Sequence, residues 1–188
     1  MTVSLVRRQL ITFIFLLPTC SLESVGLDVR IGAFFPSATR FRDVYGSASP
    51  SYQIEASWRV RNGVHMWSNL GYIHKSGRSI PLNIRSKVQL VPISIGLKAV
   101  HDRNSLAPYI GVGLSYIWLH EKNCFDLSNK LNTVGAIFKS GITKKYKHFA
   151  FSLFGDYLIQ KATARNITGK QRVTMSGFFL GGTIGVTF

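Results

Sequence analysis

The sequence has few cysteines and few acidic residues. It contains two cysteines, Cys20 and Cys124, so it lacks the cysteine density of a disulfide-stapled domain. Eight Asp and Glu residues stand against 23 Lys and Arg residues, which gives a formal net charge of +15. Such a charge favours anionic surfaces as partners but does not specify a fold. We expect Cys124 to be a free loop cysteine, with intermolecular pairing as the alternative.

The sequence also lacks any apolar run long enough for a transmembrane helix, which needs about 20 residues. The apolar run Leu10–Leu17 is shorter and follows the basic pair Arg7–Arg8. This order is typical of a secretory signal peptide. A lipoprotein site at Cys20 is an alternative, which the preceding threonine fits poorly. We predict a signal peptide over residues 1–24 and one domain over residues 25–188.

Motifs of common enzymes and nucleic-acid-binding modules are absent. The sequence has no Gly-x-Ser-x-Gly elbow, no Walker loop and no zinc-ligand spacing. His74 and His120 have no serine at a matching height and face, and Ser140 lies near the opposite end of its segment. We therefore predict a non-enzymatic protein without catalytic, cofactor-binding or metal sites. We also predict no nucleic-acid partner, because no recognition helix or ribonucleoprotein motif is present.

What the sequence does contain is a regular alternation of apolar and small or polar residues. In the segment Phe178–Phe188, the positions of one parity carry Phe, Leu, Gly, Ile, Val and Phe, whereas the other parity carries mostly glycine and threonine. A β-strand points successive side chains to opposite faces, so this segment would have one apolar face. An apolar outer face is stable where a closed barrel meets lipid.

Eight segments show this alternation. The third segment is weaker, because Trp67 and Ile73 fall on the face opposite Leu70 and Tyr72. Pro92 lacks a ladder N–H, so we expect a β-bulge there. The pattern predicts an all-β fold, an eight-stranded antiparallel up-and-down transmembrane β-barrel. The segments lie near residues 27–35, 51–60, 64–74, 87–100, 108–120, 133–143, 148–160 and 173–188.

The connections between these segments alternate in length. The Asn62-Gly63 pair is a strong signal for a tight β-hairpin. Short periplasmic turns and long external loops are typical of outer-membrane barrels. An even strand number then places both termini on the periplasmic side. The predicted long connections are 36–50, 75–86, 121–132 and 161–172, and the predicted short ones are 61–63, 101–107 and 144–147.

Aromatic residues on the lipid-facing parity fall near segment ends. Aromatic rings favour the headgroup level because they combine an apolar body with a polar edge. The alternative is that these are ordinary aromatics of a soluble β core. The predicted aromatic girdle consists of Phe35, Tyr52, Trp58, Tyr72, Trp118, Phe149 and Tyr157.

Residues of the opposite parity predict the content of the lumen. Charged side chains of both signs point inward, and isolated buried charges are costly, so we expect them to pair. The resulting cluster plugs the lumen or, alternatively, lines a narrow gated path. Inward glycines relieve crowding on a curved sheet. The predicted lumen charge cluster is Asp28, Arg30, Glu55, Lys139 and Asp156.

Two of the predicted external loops are rich in basic residues. Such loops are able to hold lipopolysaccharide phosphates or a polyanionic host surface, and the alternative is a merely solvated rim. The predicted basic loop residues are Lys75, Arg78, Arg85, Lys161, Arg165, Lys170 and Arg172.

Together, the signal, the eight segments and the final Thr187-Phe188 resemble the small bacterial outer-membrane barrels of the OmpA, OmpX and OmpW type. This resemblance implies localisation in the bacterial outer membrane, among its lipids and lipopolysaccharide, and a structural or surface-interaction role with a possible host or envelope ligand. The OmpW likeness implies an alternative role as a narrow channel or transporter for small or hydrophobic solutes. It also implies a signal for the barrel-assembly machinery, formed here by Leu180, Ile184, Val186 and Phe188.

Overall fold

The computed structural model describes residues 25–79, 84–101, 106–123, 128–166 and 169–188. The predicted signal peptide and Cys124 lie outside these residues. The described chain contains nine strand segments and one short helix. In chain order they are β1 (Val25–Pro36), α1 (Thr39–Tyr45), β2 (Ser49–Arg61), β3 (Val64–Ser79), β4 (Ile84–Val100), β5 (Leu106–Asn123), β6 (Ser128–Tyr146), β7 (Phe149–Asn166), β8 (Gly169–Thr174) and β9 (Gly177–Thr187).

The strands close into an antiparallel barrel. Consecutive strands from β1 to β7 pair with one another, β7 pairs with β9, and β9 pairs with β1. Segments β8 and β9 together make the eighth crossing, and residues Met175 and Ser176 separate them. The predicted all-β fold, an eight-stranded up-and-down barrel, is therefore confirmed. The eighth segment predicted over 173–188 covers the end of β8 and all of β9, which keep the same register against β7 on the two sides of Met175 and Ser176.

The two ends of the barrel differ. We call the end that holds Val25 and Phe188 the terminal end, and the end that holds α1 the hairpin end. At the terminal end, Asn62-Gly63 and Lys147-His148 form two-residue turns. Gly63 and Lys147 both have positive φ values, 75° and 52°. The Asn-Gly hairpin predicted from the sequence is thus present between β2 and β3.

The outer face of the barrel is apolar. Leu114 is 65% exposed, Ile184 61% and Ile93 38%, although all three are aliphatic. Leu27, Val29 and other alternate residues of β1 show the same exposure. A soluble protein rarely exposes a contiguous apolar surface of this extent. The alternate residues that the sequence predicts to face outward therefore do face outward in the barrel.

Three of the four predicted long connections are much shorter in the structure. Strands β3, β4, β5, β6, β7 and β8 continue through most of 75–86, 121–132 and 161–172. The hydrophobic alternation stops where the apolar band stops, whereas the backbone ladder continues beyond it. The sequence pattern thus marks the apolar band and underestimates the length of the paired strands in the hairpins. The paired hairpins extend past Tyr72 by seven residues on β3, roughly 20 Å along the strand.

Pro92 does not produce the predicted bulge. Leu70 pairs with Ile93 and Ile73 pairs with Leu90, so the register on the two sides of the proline is the same. The ladder between β3 and β4 is interrupted there, and the register is kept. Opposite the proline lies Gly71, where an added Cβ would lie 2.8 Å from the Pro92 ring. Glycine therefore makes room for the proline ring, and no extra residue is needed.

Helix α1 lies in the first connection at the hairpin end, and the sequence pattern did not predict it. Gly46 ends the helix with φ 82°, and its N–H donates to the Arg42 carbonyl. Tyr45 is buried in the apolar core, and the Lys75 ammonium donates to the Ala48 carbonyl. Among the described residues, no helix is long and apolar enough to cross a membrane.

Candidate functional site in the barrel lumen

A charged cluster lies in the lumen, and each of its members comes from a different strand. Arg30 lies on β1, Glu55 on β2, Lys98 on β4, Lys139 on β6 and Asp156 on β7. Side chains alternate between the two faces of a strand, and each of the five residues lies at one of the positions that point into the barrel. All five are buried. We call this group the lumen cluster.

Glu55 is the centre of the lumen cluster. Its carboxylate accepts hydrogen bonds from the Arg30 guanidinium at 2.9 Å and from the Lys98 ammonium at 2.9 Å. The Lys139 ammonium also donates to Glu55. One carboxylate therefore joins cations from β1, β4 and β6 and braces the barrel across its interior.

Asp156 forms the second anionic centre. The Arg30 guanidinium donates to Asp156 at 2.7 Å, and the Lys139 nitrogen lies 3.7 Å from the same carboxylate oxygen. The Arg30 guanidinium also lies 3.9 Å from the centre of the Phe154 ring. Arg30 thus bridges both carboxylates through separate nitrogens, which is a geometry that lysine does not provide.

A layer of uncharged polar residues borders the lumen cluster. The Asn69 amide donates to the Gln53 oxygen at 2.9 Å, and the Gln53 amide donates to Ser51 at 3.0 Å. The Ser94 hydroxyl donates to Ser115 at 2.9 Å. These bonds satisfy polar groups that would be costly to bury without partners.

Toward the hairpin end the lumen is filled by large apolar side chains. The sequence analysis missed this core, because it expected glycine and charge on the inward face. Trp67 is fully buried, with the Lys139 nitrogen 4.2 Å from the centre of its ring system. The weak alternation of the third segment was the available signal, since Trp67 and Ile73 face inward. The buried apolar core comprises Phe34, Tyr45, Trp67, Ile73, Val88, Leu90, Ile117, Leu119, Ile137, Phe154, Leu158, Met175 and Phe179.

The lumen cluster and the apolar core together occupy the described lumen between the hairpin end and a small cavity at the terminal end. Removing one partner from a buried ion pair typically costs 3–5 kcal/mol, because the other charge stays buried. The cluster therefore braces five strands against one another across the barrel interior. An eight-stranded barrel is just wide enough for side chains to fill.

The structure brings together four of the five residues predicted for the lumen cluster. Asp28 is only partly buried and lines a cavity at the terminal end, where its carboxylate packs against Gly185. Lys98 belongs to the cluster and was not predicted. Its signal was the same as that of Lys139, a single lysine at an inward position of an otherwise apolar or glycine-rich segment.

The residues predicted as an aromatic girdle occupy outward positions. Tyr52 lies opposite Tyr72 in the register, and Trp58 pairs with Val25 at the terminal end. The Tyr157 ring lies 5.3 Å from the ring of Phe178, which the prediction did not include. The remaining members, Phe35, Trp118 and Phe149, are exposed on the same face.

The four residues of the predicted assembly signal lie on β9 or directly after it. Leu180, Ile184 and Phe188 are exposed on the outer face, and Val186 is partly exposed. The Phe188 N–H donates to the Val25 carbonyl, so the last residue still pairs with β1. These residues therefore form part of the barrel seam between β9 and β1.

The predicted basic loop residues lie on strands, which corrects their placement in loops. Arg78 lies directly opposite Arg85 across β3 and β4. Arg165 lies directly opposite Lys170 across β7 and β8, and Lys161 and Arg172 lie on the same strand pair. A third opposed pair, Lys87 and Lys122, joins β4 and β5. The predicted residue Lys75 lies on β3. Basic residues are thus register partners on neighbouring strands at the hairpin end.

Histidines and carboxylates do not form a metal centre in the described part of the chain. No group of three or more His, Cys, Asp or Glu residues there is arranged to hold a metal ion. The Ser140 hydroxyl donates to the Gly155 carbonyl at 2.6 Å, and His74 is exposed on β3.

Comparison with known proteins identifies the fold. No protein-family model and no curated protein matches the sequence. The outer membrane protein OprG from Pseudomonas aeruginosa is similar in structure, with a TM-score of 0.67 and 12% identity, over 88% of this chain and 95% of OprG. Neisserial surface protein A has a TM-score of 0.57 and 14% identity, over 88% of this chain and 96% of that protein. The chain has the fold of the small bacterial outer-membrane β-barrels.

Ail, the attachment invasion locus protein of Yersinia pestis, has the same fold. Its crystal structure in complex with the heparin analogue sucrose octasulfate matches with a TM-score of 0.54 and 10% identity, over 88% of this chain and 97% of Ail. At these identities the likeness concerns the fold, and the resemblance to the OmpA, OmpX and OmpW type holds at that level.

Proposed function

We propose that this protein is a non-enzymatic barrel of the bacterial outer membrane that binds anionic glycans through its basic hairpins. The ligands would be sugars that carry phosphate or sulfate groups. The terminal end would face the periplasm and the hairpin end the cell exterior. The fold shared with outer-membrane proteins and the apolar outer wall support the localisation.

The observation that carries the proposal is the set of opposed basic pairs at the hairpin end. Like charges directly opposite each other on antiparallel strands destabilise the pairing, by roughly 0.2–1 kcal/mol for each pair. Three such pairs occur there, Arg78 with Arg85, Lys87 with Lys122, and Arg165 with Lys170. A bound polyanion would offset this repulsion, because each phosphate or sulfate neutralises the cations around it.

The position of these pairs also supports binding outside the membrane. They lie beyond the girdle residue Tyr72, on hairpins that project from the apolar band. Ail, with the same fold, has been crystallised with a sulfated sugar. This chain carries its opposed basic pairs at the hairpin end of a barrel of the same fold.

The double variant Arg165→Gln/Lys170→Gln tests the proposal. We expect its affinity for heparin fragments or for lipopolysaccharide to fall roughly tenfold, equivalent to about 1.4 kcal/mol. Its free energy of unfolding should stay unchanged or rise by up to about 1 kcal/mol, because a like-charge pair is removed. Titration calorimetry on the folded protein in detergent measures the affinity, and the two ligands distinguish sulfated from phosphorylated sugars.

The matched control is Lys144→Gln/Lys147→Gln, which removes the same charge at the terminal end. Both control lysines are exposed. The control should bind within about twofold of the unmodified protein, since a net-charge effect is screened over about 8 Å at physiological salt. Equal losses in both variants would show that net charge alone attracts the glycan, and absence of binding by the unmodified protein would reject the proposal.

A second candidate function is passage of small or hydrophobic solutes. The interrupted ladder at Pro92 favours it, since β3 and β4 share no pairing at Gly71 and Tyr72. The apolar core at the hairpin end offers a compatible environment. The lumen cluster opposes it, because its ion pairs cross the described lumen. Reproducible single-channel steps in planar bilayers would favour this candidate over a sealed barrel.

A further inference from the structure

A small cavity lies inside the barrel at the terminal end, separate from the basic hairpins. Its volume is about 80 Å³. A single water needs roughly 10–15 Å³ on this scale, so the cavity has room for several waters or for one small polyatomic ion. Lys145 and Thr187, which are exposed and partly exposed, lie in its lining. The cavity is therefore reached from the solvent at the terminal end.

A row of basic residues forms one wall of the cavity. Arg59 on β2 lies opposite His65 on β3, and His65 lies opposite Lys98 on β4. All three line the cavity, together with Lys145 from β6. Asp28 is the one carboxylate among the lining residues. The cavity wall therefore carries more positive than negative charge.

Small residues on other strands create the space. Gly26 on β1 and Ala107 on β5 line the cavity on the two sides of the basic row, and Ala150 on β7 also lines it. Ala107 and Ala150 are buried, so neither position is simply open surface. Larger side chains at these positions would occupy the space in front of Arg59 and His65.

Hydroxyl groups complete the lining. Ser57, Thr143 and Ser152 contribute to the cavity wall, and the hydroxyl oxygens of Thr143 and Ser152 lie 2.9 Å apart. Hydroxyl groups both donate and accept hydrogen bonds. The Lys98 ammonium has three N–H groups, and Glu55 takes one of them at 2.9 Å, so other N–H groups remain for a ligand.

We propose that this cavity binds a phosphate-type oxyanion from the solvent at the terminal end. A tetrahedral oxyanion accepts hydrogen bonds in many directions, which matches a wall of guanidinium, ammonium, imidazole and hydroxyl groups. Basic side chains outnumber carboxylates in the lining, which favours an anion over a cation. The cavity lies on the inner side of the strands, so the ligand enters through the mouth of the barrel.

Calorimetric titration of the folded, full-length protein in detergent with inorganic phosphate tests this site. We expect saturable binding of one phosphate per protein. Arg59→Gln should weaken it roughly tenfold or more, because a charge-assisted hydrogen bond is lost. Ala150→Leu fills the cavity and keeps every basic residue, so it should abolish binding. Lys147→Gln, which removes an exposed charge outside the cavity lining, should bind within about twofold of the unmodified protein.

A difference in gel mobility between boiled and unboiled samples establishes that each variant is folded.

Competition by short-chain phosphatidylglycerol as well as by phosphate would identify a lipid headgroup as the source of the oxyanion. Competition by phosphate alone would identify a free ion. The proposal is overturned if the unmodified protein shows no saturable binding of phosphate. It is also overturned if folded Ala150→Leu binds phosphate as tightly as the unmodified protein, or if Lys147→Gln and Arg59→Gln lose equal affinity. The result is independent of heparin binding, which involves the other end of the barrel.

Discussion

Glu55→Gln is expected to lower the free energy of unfolding by about 3–5 kcal/mol. Glu55 accepts hydrogen bonds from Arg30, Lys98 and Lys139. When Glu55 loses its charge, Asp156 is the one carboxylate of the lumen cluster that remains to balance these three buried cations. Denaturant unfolding of the barrel in detergent, followed by tryptophan fluorescence, measures the change. The loss should persist at high salt, because buried pairs are screened much less than exposed ones.

The matched control for this prediction is Asp43→Asn. Asp43 lies on α1 and is exposed. Its substitution also replaces a carboxylate by the corresponding amide and removes one negative charge. An exposed carboxylate typically contributes less than about 1 kcal/mol through its ion pairs. A loss below about 1 kcal/mol for Glu55→Gln would contradict the assignment of the lumen cluster as a brace.

Gly113→Val should also destabilise the barrel, by at least about 1–3 kcal/mol. A Cβ at Gly113 would lie 2.6 Å from the Trp67 ring and would also meet the backbone of Ile95. A Cβ at Gly96, directly opposite, would lie 2.8 Å from the same ring. Trp67 therefore needs both glycines, and valine would displace either the ring or β4. Unfolding measurements and the emission of the buried tryptophan report the two effects.

Gly182→Val is the control for the glycine prediction. It lies on β9 at an outward position, where a Cβ would meet only the Ser152 carbonyl oxygen, at 3.8 Å. Valine there adds an apolar group to the lipid-facing wall and strains nothing. Its unfolding free energy should match that of the unmodified protein. Equal losses at both glycines would indicate a general intolerance of the strands to valine.

The barrel and its outer face followed from the sequence because lipid imposes a strict rule. Most outward residues within the apolar band are apolar, so Leu114, Ile93 and their neighbours repeat with period two. The tight turn at Asn62-Gly63 also has a specific chemical signal. These features depend on local sequence and need no knowledge of long-range contacts.

The content of the lumen and the length of the hairpins were less predictable. Inward residues meet partners on distant strands, so the inward position of Lys98 was legible in the sequence, whereas its partner Glu55, 43 residues away, was not. The apolar core was hidden because Trp67 and Ile73 weakened the alternation that identified the strand. Beyond the apolar band no lipid contacts the outer face, so the sequence there needs no alternation of apolar and polar residues. The part of β3 that carries Arg78 therefore had the composition of a loop.

The lipid-facing wall and the filled lumen are tested most directly by solid-state NMR of the isotope-labelled protein in lipid bilayers. Magnetisation transferred from lipid acyl protons should reach the methyl groups of Leu114, Ile93 and Ile184 rapidly. The buried methyl groups of Leu90, Ile117 and Leu158 should receive it slowly and only through the protein. Rapid transfer to the second set, or equal transfer to both, would contradict a barrel whose alternate residues divide between lipid and a packed interior.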